Sequence, residues 1–335
     1  MIKKEKITIL KLLGVLLVII FIASCFSGCI NQNSNRIKIS GAFALYPMMN
    51  IWAEEYQKVH PDIKIEVSAG GAGKGMADAI AGIVNIGMVS REIYPEEIDQ
   101  GVFWVSVSKD AVVATINSQN PIVNEILKKG LTKQQLIDIF ITRKIKKWDE
   151  LFEKSNVPSE LKNIKIYTRS DSCGAAETWA LYLGDYSQDD LTNSADSAIN
   201  GDPNLAAAIQ GDLQGIGYNN INFIYDSESK NPFSGLIPVP LDLNNNGLID
   251  ENESFYDTRD EIVNAIANDI YPSPPARALH LVTKKSFSGT TKDFVYWILT
   301  DGQHYIPQSG YIQLSNETIN KQLEYLETGY RPEIT

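Results

Sequence analysis

The sequence is poor in cysteine, in histidine and in net positive charge. Its 335 residues hold three cysteines. Two of these, Cys25 and Cys29, follow directly on an apolar N-terminal run. Cys173 is then alone in the body of the chain, and no disulfide framework can hold the fold. The three histidines, His60, His280 and His304, have no motif around them, so a cysteine–histidine nucleophilic pair has no evident base. A cysteine phosphatase needs arginine six positions after its cysteine, and that position is Trp179. The formal net charge of -11 speaks against nucleic acid as a partner. Any anion site must be a local electropositive spot on an acidic protein. No internal repeat or low-complexity linker is visible. The apolar fraction of 44% is that of a folded globular protein, long enough for one large domain or two smaller ones.

The N-terminus reads as a targeting segment. Lys3, Lys4 and Lys6 precede an apolar run from Leu12 to Ala23, which suits a signal-peptide core and is short for a membrane span. Ile22-Ala23-Ser24-Cys25 and Phe26-Ser27-Gly28-Cys29 both have the shape of a lipobox, where a cysteine is lipidated and becomes the mature N-terminus. Cys29 is the expected site, because the polar residues 30–36 after it resemble a tether. Cys25 is the alternative, with the better apolar residue three positions upstream. An uncleaved anchor helix fits the same segment. Each reading places the rest of the chain on the extracytoplasmic face of the cell membrane.

What is present is organised around Ser68 to Arg91. Four glycines, Gly70, Gly71, Gly73 and Gly75, and a run of alanines open this stretch. Met76, Ala79, Ile80 and Ile83 then recur at helical spacing, Gly82 and Asn85 close the helix, and residues 84–89 read as a short buried strand. A glycine-rich loop feeding a helix N-terminus aims backbone N–H groups at one point, which suits an anion; it also suits a tight turn that packs a helix on a sheet. The phosphate-loop pattern fails here, since it needs glycine at Ser68 and serine or threonine at Gly75. Upstream, residues 37–40 form a strand, 41–47 a turn, and Pro47 opens a helix with Met48, Met49, Trp52, Tyr56 and Val59 on one face. Two strand–loop–helix units in a row predict a parallel sheet with both loops at one edge, where ligands bind. Thr132 and Gln135 form a capping box.

Two further segments carry chemistry. A strand at 164–167 delivers Arg169, Ser170, Asp171, Ser172 and Cys173 to a helix starting near Gly174. Arg169 offers a planar fork of donors to an oxyanion and Asp171 can pin it; a surface Arg–Asp pair is the plainer alternative. Asp242, Asn244, Asn246, Gly247, Leu248, Asp250 and Glu253 match D-x-[DN]-x-[DN]-G-x5-E at every position. Side-chain oxygens of Asp242, Asn244 and Asn246, the Leu248 carbonyl, a direct or water-bridged Asp250 and a bidentate Glu253 would hold a structural Ca2+. A polar Asn/Gly turn is the alternative. The proline-rich residues before it exclude a paired helix–loop–helix sensor.

On these residues the chain resembles the phosphate-binding proteins (PstS) of phosphate ABC transporters. The likeness runs over nearly all of the mature chain. It rests on residues 41–47 with the Trp52 helix, on the glycine-rich loop ending in Ser90-Arg91-Glu92, and on Leu131, Ile139, Phe140, Ile145, Trp148 and Leu151. It continues through Arg169-Ser170-Asp171 with Gly174, Gly215-Ile216-Gly217-Tyr218 and the late segment 273–311. The resemblance implies an α/β type II periplasmic-binding-protein fold, two α/β domains joined by a two-strand hinge with ligand in the cleft. Domain one would be 36–115 plus 270–335 and domain two 116–269. It implies a phosphate site of Ala44, Leu45, Ala72, Gly73, Ser90, Arg169, Asp171, Cys173, Gly174 and Ala175. Ala44, Ala72, Cys173 and Ala175 stand where relatives usually carry serine or threonine, so backbone donors must do more here. The implied protein is a monomeric, lipid-anchored receptor without a catalytic cofactor, not an enzyme, that passes inorganic phosphate to an ABC permease. Alternatives are a receptor for tungstate, molybdate or sulfate, and a calcium-dependent surface attachment protein without anion binding.

Overall fold

The computed structural model describes residues 35–152 and 157–332; the apolar run, Cys25, Cys29 and most of the tether lie outside the described residues. Among the described residues no helix is long and apolar enough to cross a membrane.

The strands are β1 (Arg36–Gly41), β2 (Lys64–Ala69), β3 (Ile86–Val89), β4 (Val102–Asn117), β5 (Lys165–Arg169), β6 (Ser197–Ile199), β7 (Gly215–Asn220), β8 (Leu236–Pro238) and β9 (Ala276–Lys284). They are ordered β2-β1-β3-β9-β4-β7-β5-β6, with β8 beside β4. The sheet is mixed rather than parallel throughout. β1 runs parallel to β3, and β5 to both β6 and β7. β9 is antiparallel to β3 and β4, and β4 to β7 and β8. The strand–loop–helix units set the parallel pairs, whereas β4 and β9 enter from outside those units and turn the middle of the sheet antiparallel.

β4 explains the architecture. It is sixteen residues long and almost wholly buried, and a strand covered on both faces reads as a continuous apolar run. Val102 to Val107 lie in one core with Trp52, Met88, Leu281 and Phe294. Ala111 to Ile116 lie in a second core with Phe140, Ile166, Trp179, Tyr218 and Ile262. Two α/β lobes result, and β4 and β9 cross between them.

Local signals behave as elementary chemistry requires. The Thr132 hydroxyl accepts from the Gln135 N–H at 3.2 Å, and the Gln135 side chain accepts from the Thr132 N–H at 2.9 Å, starting the helix Lys133–Phe140. Two apolar positions of the helical patterns are exposed. The helix Ala72–Ile80 stops before Gly82, whose φ is +68°, so Ile83 falls in a turn and is 61% exposed. Val59 is the last residue of the helix Tyr46–Val59 and is 64% exposed: the apolar stripe has rotated off the sheet by that turn.

Gly75 is where the glycine-rich helix meets the sheet. A Cβ there would lie 2.6 Å from the Met88 carbonyl oxygen and 2.7 Å from Gly41 Cα, both backbone atoms. Gly75→Ala should therefore destabilise the fold by about 1–3 kcal/mol, read as a lower urea midpoint. An unchanged midpoint would mean that β1, β3 and this helix pack more loosely than the geometry states.

Candidate functional site

Three loops meet at one edge of the sheet. The first follows β1: Gly41 has φ +137° and its carbonyl accepts from both the Gly70 and Gly71 N–H groups, at 2.9 and 3.1 Å. This ties the first loop to the second, which leads into the helix Ala72–Ile80. The third follows β5 and leads into the helix Gly174–Leu183. Second and third loops touch directly, since the Gly73 N–H donates to the Ser172 carbonyl at 3.2 Å. Ser90, at the end of β3, lies so close to Gly174 that a Cβ there would be 2.1 Å from the Ser90 carbonyl oxygen. The Phe43 ring sits 5.4 Å from the Arg169 guanidinium carbon. Both helices present first-turn N–H groups with no intrahelical partner.

Of the expected binding residues, Ala72, Gly73, Ser90, Arg169, Asp171, Cys173, Gly174 and Ala175 belong to this junction. Ala44 and Leu45 are set differently. Both are buried in the core of their lobe, the Ala44 carbonyl accepts from the Tyr311 hydroxyl at 2.7 Å, and the Leu45 N–H closes a turn on Ala42. The Cys173 thiol accepts from the Ala176 N–H at 3.4 Å and caps the helix, and burial pushes its pKa up to about 12. At neutral pH it is a protonated cap, without thiolate character.

Arg169 is the centre of the junction and is fully buried. Its Nε and Nη2 donate to Asp171 at 2.8 and 2.6 Å, and its Nη1 donates to Asp202 at 2.5 Å. A guanidinium carries five N–H donors. Two remain here, one on each terminal nitrogen, which is the fork an oxyanion needs. Asp171 Oδ1 also accepts from the Gly201 N–H at 2.9 Å, while Oδ2 faces the second loop, 3.0 Å from where a Gly71 Cβ would stand. Burial raises the Asp171 pKa, but Arg169 and Gly201 outweigh it and hold the carboxyl below its ordinary value.

Sequence reasoning missed the support behind Arg169. Asp202 reads only as an acidic first-turn residue followed by proline, yet it is buried and takes Arg169 on one oxygen and Asn220 on the other, at 2.7 Å. Asn220 in turn meets Arg277, which is held by Asp110 and Thr178. Burial pushes the Asp110 carboxyl up against the opposing pull of Arg277.

A groove of about 760 Å³ opens beside the third loop, lined among others by Arg91, Tyr94, Ser172, Glu177 and Arg277. Across it, the Tyr94 hydroxyl donates to Glu177 at 2.5 Å, and Arg91 pairs with both Glu97 and Glu177 at 2.6 and 3.0 Å. These contacts fasten the segment after β3 to the helix of the third loop.

The 242–253 loop lies apart from the junction. Asp242 and Glu253 are buried and accept backbone N–H groups of Leu243, Asn244, Asn246 and Gly247, while Asn244 and Asn246 turn their amides to Asp250 at 2.8 and 2.7 Å. Gly247, at φ +81°, makes the sharp bend. Among the described residues no three His, Cys, Asp or Glu side chains gather as a metal-binding group; of the expected ligands two are asparagine amides and one is a backbone carbonyl, an oxygen-only donor set of the kind a hard cation takes.

A family profile described as the PBP superfamily domain matches residues 31–302. The phosphate-binding protein PstS of Methanocaldococcus jannaschii is 26% identical over 364 residues, 91% of this chain and 92% of that protein. Its counterpart in Bacillus subtilis is 27% identical over 262 residues, 71% of this chain and 81% of that one. A Clostridium perfringens structure, described as a phosphate ABC transporter substrate-binding protein with bound phosphate, is 25% identical with a TM-score of 0.67, covering 84% of this chain and 100% of that one.

The lowered Asp171 pKa has a stability consequence. Such a carboxylate stabilises the fold above the ordinary value of about 3.9, and that contribution disappears as pH falls through the lower folded value. Asp171→Asn should cost about 1–3 kcal/mol at pH 7, with the gap to wild type closing below about pH 4. Denaturation series across pH test this. A gap constant with pH would separate the loss from Asp171 ionisation.

Proposed function

Because the chain belongs to the PBP superfamily, we propose that it is an extracytoplasmic receptor that captures inorganic phosphate and hands it to an ABC transporter permease. It has the type II periplasmic-binding-protein fold of that superfamily. The observation that carries the reading is Arg169: a buried guanidinium with two donors to spare, at the junction of three loops and two helix N-termini. The names of the relatives from M. jannaschii and B. subtilis, and the phosphate in the C. perfringens structure, support phosphate as the anion. Asp171 Oδ2 gives the reading its selectivity. Phosphate keeps a proton at neutral pH and needs an acceptor facing it, whereas sulfate, molybdate and tungstate do not. Asp171 stays ionised, and its second oxygen faces the second loop.

In this reading the lobes, 36–115 plus 270–335 and 116–269, close on the anion about β4 and β9. The protein is tethered by a lipid on Cys29 or Cys25. The reading assigns it binding and no catalysis, and Cys173, a buried, protonated cap, has no nucleophilic part in it. The 242–253 loop is a calcium clip within the second lobe, held by Asp242, Asn244, Asn246, Leu248, Asp250 and Glu253.

Calorimetric titration of the ligand-free mature chain should show phosphate binding with Kd of about 1 μM or tighter, near -8 kcal/mol, and silence toward sulfate. Arg169→Ala should abolish binding. Asp171→Asn should weaken phosphate and admit sulfate. Molybdate, tungstate or sulfate binding by the wild type in place of phosphate would change the ligand, and silence toward all four would overturn anion capture. Independently, millimolar calcium should raise the thermal midpoint, and chelation or Asp242→Ala should remove the rise. A midpoint indifferent to calcium would reduce the loop to a polar turn.

A further inference from the structure

A chain of buried charged and polar groups leads from the anion site to the crossing between the lobes. Asp110 and Arg277 face each other in register on β4 and β9, one pair from Ala276, where β9 begins. The next pair on β4 joins Val112 to Asn220 at the end of β7. β4 therefore changes partner strand, and core, at this point. Arg277 binds Asp110 through Nε at 2.9 Å and Nη2 at 3.4 Å, Thr178 through Nη1 at 3.0 Å, and the Asn220 side-chain oxygen through Nη2. Asn220 donates its Nδ2 to Asp202 at 2.7 Å, and Asp202 holds Arg169 at 2.5 Å. Asp110, Asn220, Asp202 and Arg169 are at most 2% exposed, and Arg277 is 7% exposed.

From this we infer that Asn220 is a positioning residue that couples Arg169 to the crossing strands, an inference that rests on the anion site proposed above. Its place in the chain requires a side chain that both donates and accepts. A guanidinium only donates and an ionised carboxylate only accepts. The group between Arg277 and Asp202 must accept from one and donate to the other, which an amide does in a single orientation. Buried from solvent, such a chain is strong and has few alternative arrangements. When the two free N–H groups of Arg169 engage an oxyanion, the guanidinium settles against Asp202. Asn220 passes that constraint to Arg277, which is rooted in the strand where the lobes join. Arg277 also holds Thr178, the neighbour of Glu177, the residue that meets Tyr94 and Arg91 across the groove. Ligand capture and lobe closure thus share one set of hydrogen bonds.

Asn220→Asp tests the link. It keeps a partner for Arg277 and sets a carboxylate against Asp202. Asp110→Asn tests the far end of the chain without touching the anion loops, and it keeps the inference falsifiable should the first variant fold poorly, as judged by its thermal midpoint. Spin labels at Glu54→Cys and Lys144→Cys, exposed positions on the two lobes, report the distance between lobes. In the wild type, phosphate should shorten and narrow that distance distribution. Both variants should weaken phosphate binding by about tenfold or more and blunt the shortening. Weakened binding with a wild-type closing distance would confine Asn220 to the local site and overturn the coupling; so would wild-type affinity in both variants. If the wild type bound no oxyanion, the functional reading would fail by itself. The coupling would still be judged on the ligand-free distances, which both variants shift if the chain sets lobe geometry and leave unchanged if it does not.

Discussion

Burying a guanidinium costs several kcal/mol unless its charge and its N–H groups are met, and the lobe beyond β4 is arranged to meet those of Arg169. Two carboxylates do so from different parts of the chain. Asp171 comes from the same loop and takes one edge of the fork. Asp202 comes from the start of a separate helix and takes a terminal nitrogen. Their combined charge exceeds that of the arginine, so the remaining two donors do not make a strongly positive pocket. They make a directional one, supplemented by the backbone N–H groups of two helix N-termini. An acidic protein can in this way hold an anion without a basic surface.

The second constraint is the length of β4. A single strand that belongs to two cores must leave one and enter the other, and side chains at the change of partner cannot all be apolar without sealing the lobes together. Asp110, Arg277 and Asn220 occupy that point. Their hydrogen bonds are directional, so they fix how the lobes meet while leaving a polar seam on which a crossing can pivot. Because Asn220 also reaches Asp202, the seam is continuous with the buried Arg169 cluster. The close approach of Gly174 to Ser90 and of Gly73 to Ser172 depends on the same alignment.

Local signals were easy to read. The glycine-rich second loop, Pro47 at the start of its helix, the Thr132–Gln135 capping box and Arg169 before a helix N-terminus all express chemistry between residues a few positions apart. The resemblance to phosphate-binding proteins implies that the three loops share one site, and the fold brings them together at one edge of the sheet. Periodicity outruns geometry at two places: Ile83 continues an apolar pattern past the end of its helix, and Val59, in the last turn of its helix, faces solvent. Asp202, Asn220 and Arg277 were invisible for a different reason. Each is ordinary in its own segment, and their partners lie far off along the chain.

The sequence by itself determined the elements, the loops that carry donors, the arginine and the oxygen-only motif at 242–253, because each is set by backbone conformation and by neighbours within a turn or two. Tertiary structure decided what those groups do to one another. It turned the middle of the sheet antiparallel, set three donors of Arg169 on carboxylates and left two free. The physical reason is that the cost of burying charge falls on whichever polar groups the fold brings within hydrogen-bond distance, and those groups are chosen by packing across the sheet rather than by order along the chain.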